Sequence, residues 1–99
     1  SQHVILLSND NDVLCGRGGF TNRYEGNRKW RKLVSFHKSL YISLPKHEKK
    51  LVAKSIVRKV RQCDPPGRFL MKDEKTNLWT DIGDQKAIYK TCKALRESS

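Results

Sequence analysis

Between Arg28 and Cys63 the apolar residues recur every three or four positions, and one proline, Pro45, interrupts them. That spacing fits an α-helix and not a strand, because a strand alternates at every second residue. From Arg28 to about Leu44, Trp30, Leu33, Val34, His37, Leu40, Tyr41 and Leu44 fall on one side of a helical wheel, with Arg28, Arg31, Lys32 and Lys38 opposite. Pro45 cannot continue that helix but suits the first turn of another. The second helix runs to about Gln62, with Val52, Ala53, Ile56, Val57, Val60 and Cys63 facing inward. Its other side carries Lys50, Lys54, Arg58 and Arg61. The chain must therefore bury two consecutive amphipathic helices whose outer faces are basic.

The flanking segments supply what those helices pack against. Asp64-Pro65-Pro66-Gly67 stops the second helix, after which Arg68–Lys72 and Leu78–Ile82 read as two strands around the charged tip Asp73–Asn77. Asp84 is placed to cap a third helix to about Arg96, with Ile88, Cys92 and Leu95 apolar and Lys86, Lys90 and Lys93 on another face. Upstream, Val4–Leu7 and Val13–Cys15 are short apolar runs either side of a turn-rich string, and the second is the better strand. Four glycines between Gly16 and Gly26 read as a loop, with Asn27 capping the helix that follows. Ninety-nine residues suffice for one domain. The expected fold is α+β: three helices with a small antiparallel sheet, made of a short N-terminal strand plus a β-hairpin, and partly winged-helix-like. Residues 1–11 are expected to be an extension and 12–97 the domain. Ser1 and the Ser98-Ser99 end suggest a fragment of a longer protein.

The charge is unevenly spread. The net formal charge is +11, and residues 28 to 61 alone hold twelve Lys or Arg against Glu48. Residues 1 to 27 sum to −1 and residues 62 to 99 to +1. With one acid between two cationic helices, Glu–Lys pairing cannot relieve their repulsion, so the chain asks for an external polyanion.

Several chemistries lack their residues. Gly16-Arg17-Gly18-Gly19 matches neither the dinucleotide fingerprint nor a phosphate loop, so no nucleotide cofactor is expected. Cys15, Cys63, Cys92, His3, His37 and His47 have no metal-ligand spacing, and His37 falls on the apolar side of its helix, where a core role is the commoner one. No orienting acid or amide marks a Cys–His nucleophile, so an enzyme is not expected. Three cysteines and no glycosylation sequon suit a reducing, intracellular setting, and no apolar run approaches the ~20 residues of a membrane span.

The reading these features support is double-stranded DNA binding, specific for sequence or shape, in a transcriptional regulator of the nucleus. Helix–turn–helix logic puts the second basic helix in the major groove. Arg28, Arg31, Lys32, Lys50 and Lys54 would contact phosphates, with Arg17, Arg58 and Arg61 as base readers. Two readings of Arg17 stand open: a guanidinium carried by glycines into the minor groove, or a partner of Asp12 or Glu25 that orders the loop. Arg23 and Asn27 flank that loop and join the candidate set. Arg68, Lys72 and Lys75 place the hairpin against backbone or minor groove, although Asp73, Glu74 and Asp81 dilute its charge. An acidic protein and RNA are the alternative partners; few aromatics are available to stack single-stranded bases. The oligomeric state is open.

The motif Asn11-Asp12-Val13-Leu14-x-Gly16-Arg17-Gly18, with Asn22, Gly26-Asn27, Trp30-Arg31, Gly67-Arg68-Phe69-Leu70, Trp79-x-Asp81-Ile82-Gly83-Asp84 and Ala94-Leu95-Arg96, resembles a domain of unknown function abundant in diatoms and related algae. The resemblance runs from about Asn11 to Arg96. Tyr24-Glu25 stands where that family often has His-Pro, and Trp30 where Phe is common. The resemblance implies an algal, nuclear setting; many copies in one genome would suit transcriptional regulators.

Overall fold

A computed structural model describes residues 4–5, 9–16 and 19–97. Its helices are α1 (Gly19–Arg23), α2 (Glu25–Ser43), α3 (Lys46–Arg61) and α4 (Gly83–Arg96), and its strands β1 (Val4–Ile5), β2 (Val13–Cys15), β3 (Phe69–Lys72) and β4 (Trp79–Asp81). The class is α+β. Among the described residues there are four helices rather than three, the extra one being the short α1.

The sheet differs from the expected one. Its order is β1-β4-β3-β2, and β2 runs parallel to β3 while β3–β4 and β1–β4 are antiparallel. The sheet is thus mixed. A parallel pair needs a long crossover, and the three helices between β2 and β3 supply it. Val13 lies opposite Phe69 and Leu14 opposite Leu70, which buries all three residues of β2.

The three long helices pack on one another and, through α2, on the sheet. Buried residues follow the expected periodicity on α2, with Trp30, Val34 and Tyr41, and on α3, with Val52, Ala53, Ile56, Val57 and Val60, whereas on α4 the buried face is Ala87, Thr91 and Leu95, one residue round from the expected Ile88 and Cys92, which are partly buried. Trp30 meets Phe69 edge-on at 6.5 Å, and its indole N–H donates to the buried Thr91 hydroxyl at 3.3 Å, which donates in turn to the Ala87 carbonyl at 2.8 Å. Two residues assigned inward lie outward or at the rim. Leu40 is half-exposed, and Cys63 is partly exposed with its thiol against the Lys59 carbonyl at 3.4 Å.

The glycine-rich stretch is more helical than expected, and Gly26 shows why. It sits inside α2, where a Cβ would lie 1.8 Å from the Asp12 carbonyl oxygen. The glycine serves close helix–strand approach, not loop freedom. Asn27, expected as a cap, is likewise within α2 and buried. Its side-chain oxygen accepts from the Leu14 N–H at 2.7 Å and its amide donates to the Leu14 carbonyl at 2.9 Å. Since β2 is the last strand of the sheet, Asn27 takes the place of the neighbour that this edge lacks.

Candidate nucleic-acid interface

The basic side chains divide into those the protein uses on itself and those it leaves to solvent. Arg68 belongs to the first group. The carboxylate of Asp12 is fully buried and accepts from the Arg68 N–H at 2.9 Å, Nε at 3.0 Å and Nη2 at 2.8 Å, and from the Asn9 N–H at 2.7 Å. That hydrogen bonding raises the Arg68 pKa further above its ordinary value, against a smaller opposing effect of burial. Arg61 is similar. It meets Asp81 at 2.8 and 3.1 Å and Asp84 at 3.0 Å, while its guanidinium lies 5.7 Å from the centre of the Phe69 ring. Burial pushes the Asp81 carboxyl up, but the Arg61 hydrogen bond, the Gly83 N–H at 2.9 Å and the charges of Arg61 and Arg68 outweigh it, leaving the pKa below the usual value.

Three sequence candidates are therefore committed internally. Asn27 bonds the β2 edge, Arg61 joins α3 to the start of α4, and Arg68 neutralises Asp12. Asp84, expected as a cap, lies in the first turn of α4 and serves as a partner of Arg61; Asp81 takes the Gly83 N–H instead. Arg17 lies outside the described residues. The two acids weighed as its partners bind other cations, Asp12 with Arg68 and Glu25 with Arg28 at 3.8 Å.

The other candidates are exposed but dispersed. Arg23 ends α1, Arg28 and Lys32 face solvent on α2, and Lys72 and Lys75 stand on the hairpin. Arg31 donates to the Asn22 carbonyl. Asp73 organises the hairpin tip, accepting from Lys75 N–H at 2.8 Å and joined to Leu78 and Asn77 by backbone bonds.

What gathers cations is α4. On its α2 side runs a cleft of about 520 Å³ lined by Trp30, Arg31, Lys38, Lys90, Lys93 and Glu97 among others. Lys38 donates there to the Glu97 carbonyl at 2.8 Å, and Lys90 sits 5.3 Å over the Trp30 ring. On its α3 side runs a cleft of about 800 Å³ lined by Lys46, Lys49, Lys50, Lys54, Gln85, Tyr89 and Arg96, with no acid in its wall. Lys49 alone turns inward, donating to the Tyr41 and Ile42 carbonyls at 2.6 and 3.2 Å. Arg58 stands at the far end of α3, beside Lys54, Arg61 and Asp84. Leaving Lys49 aside, the two clefts hold eight cations and one carboxylate, Glu97.

The basic faces of α2 and α3 thus do not join directly; each turns toward α4, which lies between them and adds charge of its own. Lys46, Lys90, Lys93 and Arg96 were absent from the sequence candidates. The signal was present: from Gln85 to Arg96 there are four cations and no acid. Summing the charge from residue 62 onward concealed it, because Asp64, Asp84 and Glu97 offset three of those cations while the hairpin is neutral.

The chemistry of the site is electrostatic. Among the described residues, no His, Cys, Asp or Glu side chains group three together to hold a metal ion. Burial, the leading effect, pushes the Cys15 and Cys92 thiols up, with Lys90 and Arg96 respectively pulling the other way. Neither is activated as a thiolate. No described helix is long and apolar enough to cross a membrane.

The family model for the domain of unknown function DUF6824 matches residues 12–97. No curated protein and no solved structure matches the chain.

Proposed function

We propose that this chain, which belongs to the DUF6824 family of domains of unknown function, binds double-stranded DNA through the cationic surface centred on α4. One observation carries the reading: eight cations from three helices border a single ridge with one carboxylate among them. Such a concentration is stable next to a partner whose charges are closely and regularly spaced, as phosphates are. Lys50 and Lys54 keep the phosphate role that the sequence suggests, and Lys46, Lys93 and Arg96 join them. Duplex DNA fits better than duplex RNA because the A-form major groove is too deep and narrow for a helix to enter. The setting this implies is the nucleus, in a regulator of transcription.

A second reading, a dock for an acidic protein, is favoured by Phe36, which is 82% exposed on α2 with the half-exposed Leu40 one turn away. DNA would leave those apolar groups unused.

Fluorescence anisotropy with a random duplex tests the proposal. If about six phosphates are neutralised, log K falls against log salt with a slope near −5. The double variant Lys50→Glu, Lys54→Glu retains its fold, since both residues are exposed, and loses about two units of that slope together with much of its affinity. A wild-type slope near zero, or acidic peptide bound at low salt where duplex is not, refutes DNA as the partner. Stronger binding to hairpin RNA than to duplex DNA replaces it with RNA.

A further inference from the structure

We propose that α4, rather than α3, is the helix that lies in the major groove, and that Gln85 and Tyr89 are the residues that read base edges. This rests on the DNA reading above. A helix with its side chains is about 10–12 Å across and the major groove about 12 Å wide, so a helix lying in it has a row of phosphates along each flank. The protein around a reading helix should then offer cations on both sides of it.

Only α4 among the long helices has that arrangement. One flank is bordered by Arg31 and Lys38 of α2, the other by Lys50 and Lys54 of α3. By contrast, α2 has cations on its α4 side, while Phe36 and Leu40 lie on its other flank and are exposed. The outer face of α3 carries Leu51, 57% exposed, in line with Ser55 and Arg58. Lys29 and Lys32 share that flank of α2 with Phe36 and Leu40, and Lys59 lies beyond Leu51 on α3, so each helix has exposed apolar groups where a second row of phosphates would lie.

The exposed ridge of α4 then faces the bases. At 100° per residue, Gln85, Tyr89, Lys93 and Arg96 form one stripe opposite the buried Ala87, Thr91 and Leu95. Their chemistry differs along the stripe. Lys93 and Arg96 carry the positive charge of the stripe and suit phosphates. Gln85 carries an amide able to bond adenine N6 and N7 together, and Tyr89, 67% exposed, offers an aromatic edge to a thymine methyl and a hydroxyl to a base acceptor. Both lie in the N-terminal half of α4. Asp84, next to Gln85, and Asp81, which takes the Gly83 N–H, are the acids at that end, and the pairing of both with Arg61 offsets their repulsion of phosphate.

Selection from a random duplex library tests this, with wild type, Gln85→Ala, Tyr89→Ala and Lys93→Glu in parallel and anisotropy against a random duplex beside it. The expected result is an enriched motif for wild type that each of the first two variants flattens at a different position. Their affinity for random duplex should stay within about twofold and their salt slope should not change. Lys93→Glu should weaken all sequences alike. If Gln85→Ala and Tyr89→Ala enrich the wild-type motif unchanged, or wild type enriches none while binding duplex in a salt-dependent way, base reading by α4 is wrong and the DNA reading stands. If wild type binds no duplex, both fail together.

Discussion

Replacing Asn27 by alanine separates a residue that holds the fold from one that holds a ligand. Its amide makes both bonds to the Leu14 backbone, at 2.7 and 2.9 Å, and Leu14 is 3% exposed. Alanine leaves the buried Leu14 N–H and C=O without their partner. A buried polar group left without its partner costs about 1–3 kcal/mol, so the two together give a loss of about 2–6 kcal/mol. For a domain whose total stability is of the order of 5–15 kcal/mol, that is a large share. Urea denaturation followed by circular dichroism measures it, as a lower midpoint at unchanged slope. Under conditions where the variant is still folded, its affinity for duplex DNA should equal that of wild type. A variant with wild-type stability and impaired binding would contradict the burial argument and return Asn27 to the interface.

Three further outcomes follow from the same contacts. Gly26→Ala, which in an open helix stabilises by up to about 1 kcal/mol, should destabilise here, because the new Cβ would meet the Asp12 carbonyl oxygen at 1.8 Å; a raised melting temperature would refute the close approach. Arg68→Ala strands the buried Asp12 carboxylate and should cost about 3–5 kcal/mol in urea titrations, whereas a change of under about 0.5 kcal/mol would place that carboxylate in solvent. Asp81 has a folded-state pKa below its unfolded one, so its contribution is present above the unfolded value near 4 and disappears as pH falls through the folded value. Asp81→Asn should therefore flatten the acid limb of a stability–pH curve relative to wild type, and parallel curves would show that the Arg61 contact does not set it.

How much of this was legible in the sequence depends on the range of the interaction. The core faces of α2, α3 and α4 and the hairpin were legible because apolar periodicity is local, and they place the chain in the α+β class. The pairing of β2 with β3 was not. It joins residues more than fifty positions apart, and a three-residue apolar run carries no sign of its neighbour's direction. Gly26 and Asn27 misled for a related reason. Glycine and asparagine are loop and cap residues when only the local chain is considered, but both here answer to a strand thirteen or fourteen residues earlier.

The candidate site shows the same limit in its charges. Counting cations could not tell Arg61 and Arg68 from Lys50 and Lys54, because the difference lies in which carboxylates the fold brings near. Asp81 and Asp84 reach only Arg61 of the basic helices, and Asp12 reaches Arg68 beside β3. Arg61, at the end of α3, joins that helix to β4 and α4, and Arg68, just before β3, joins the starts of β2 and β3. Three of the acids are thereby spent on those arginines, and the clefts along α4, with Glu97 as their one carboxylate, keep their positive charge. Stability and surface potential are coupled through this division: an acid moved from those arginines to either cleft would weaken the fold and the proposed interface together. Charge reversal at Lys54 should affect only the second.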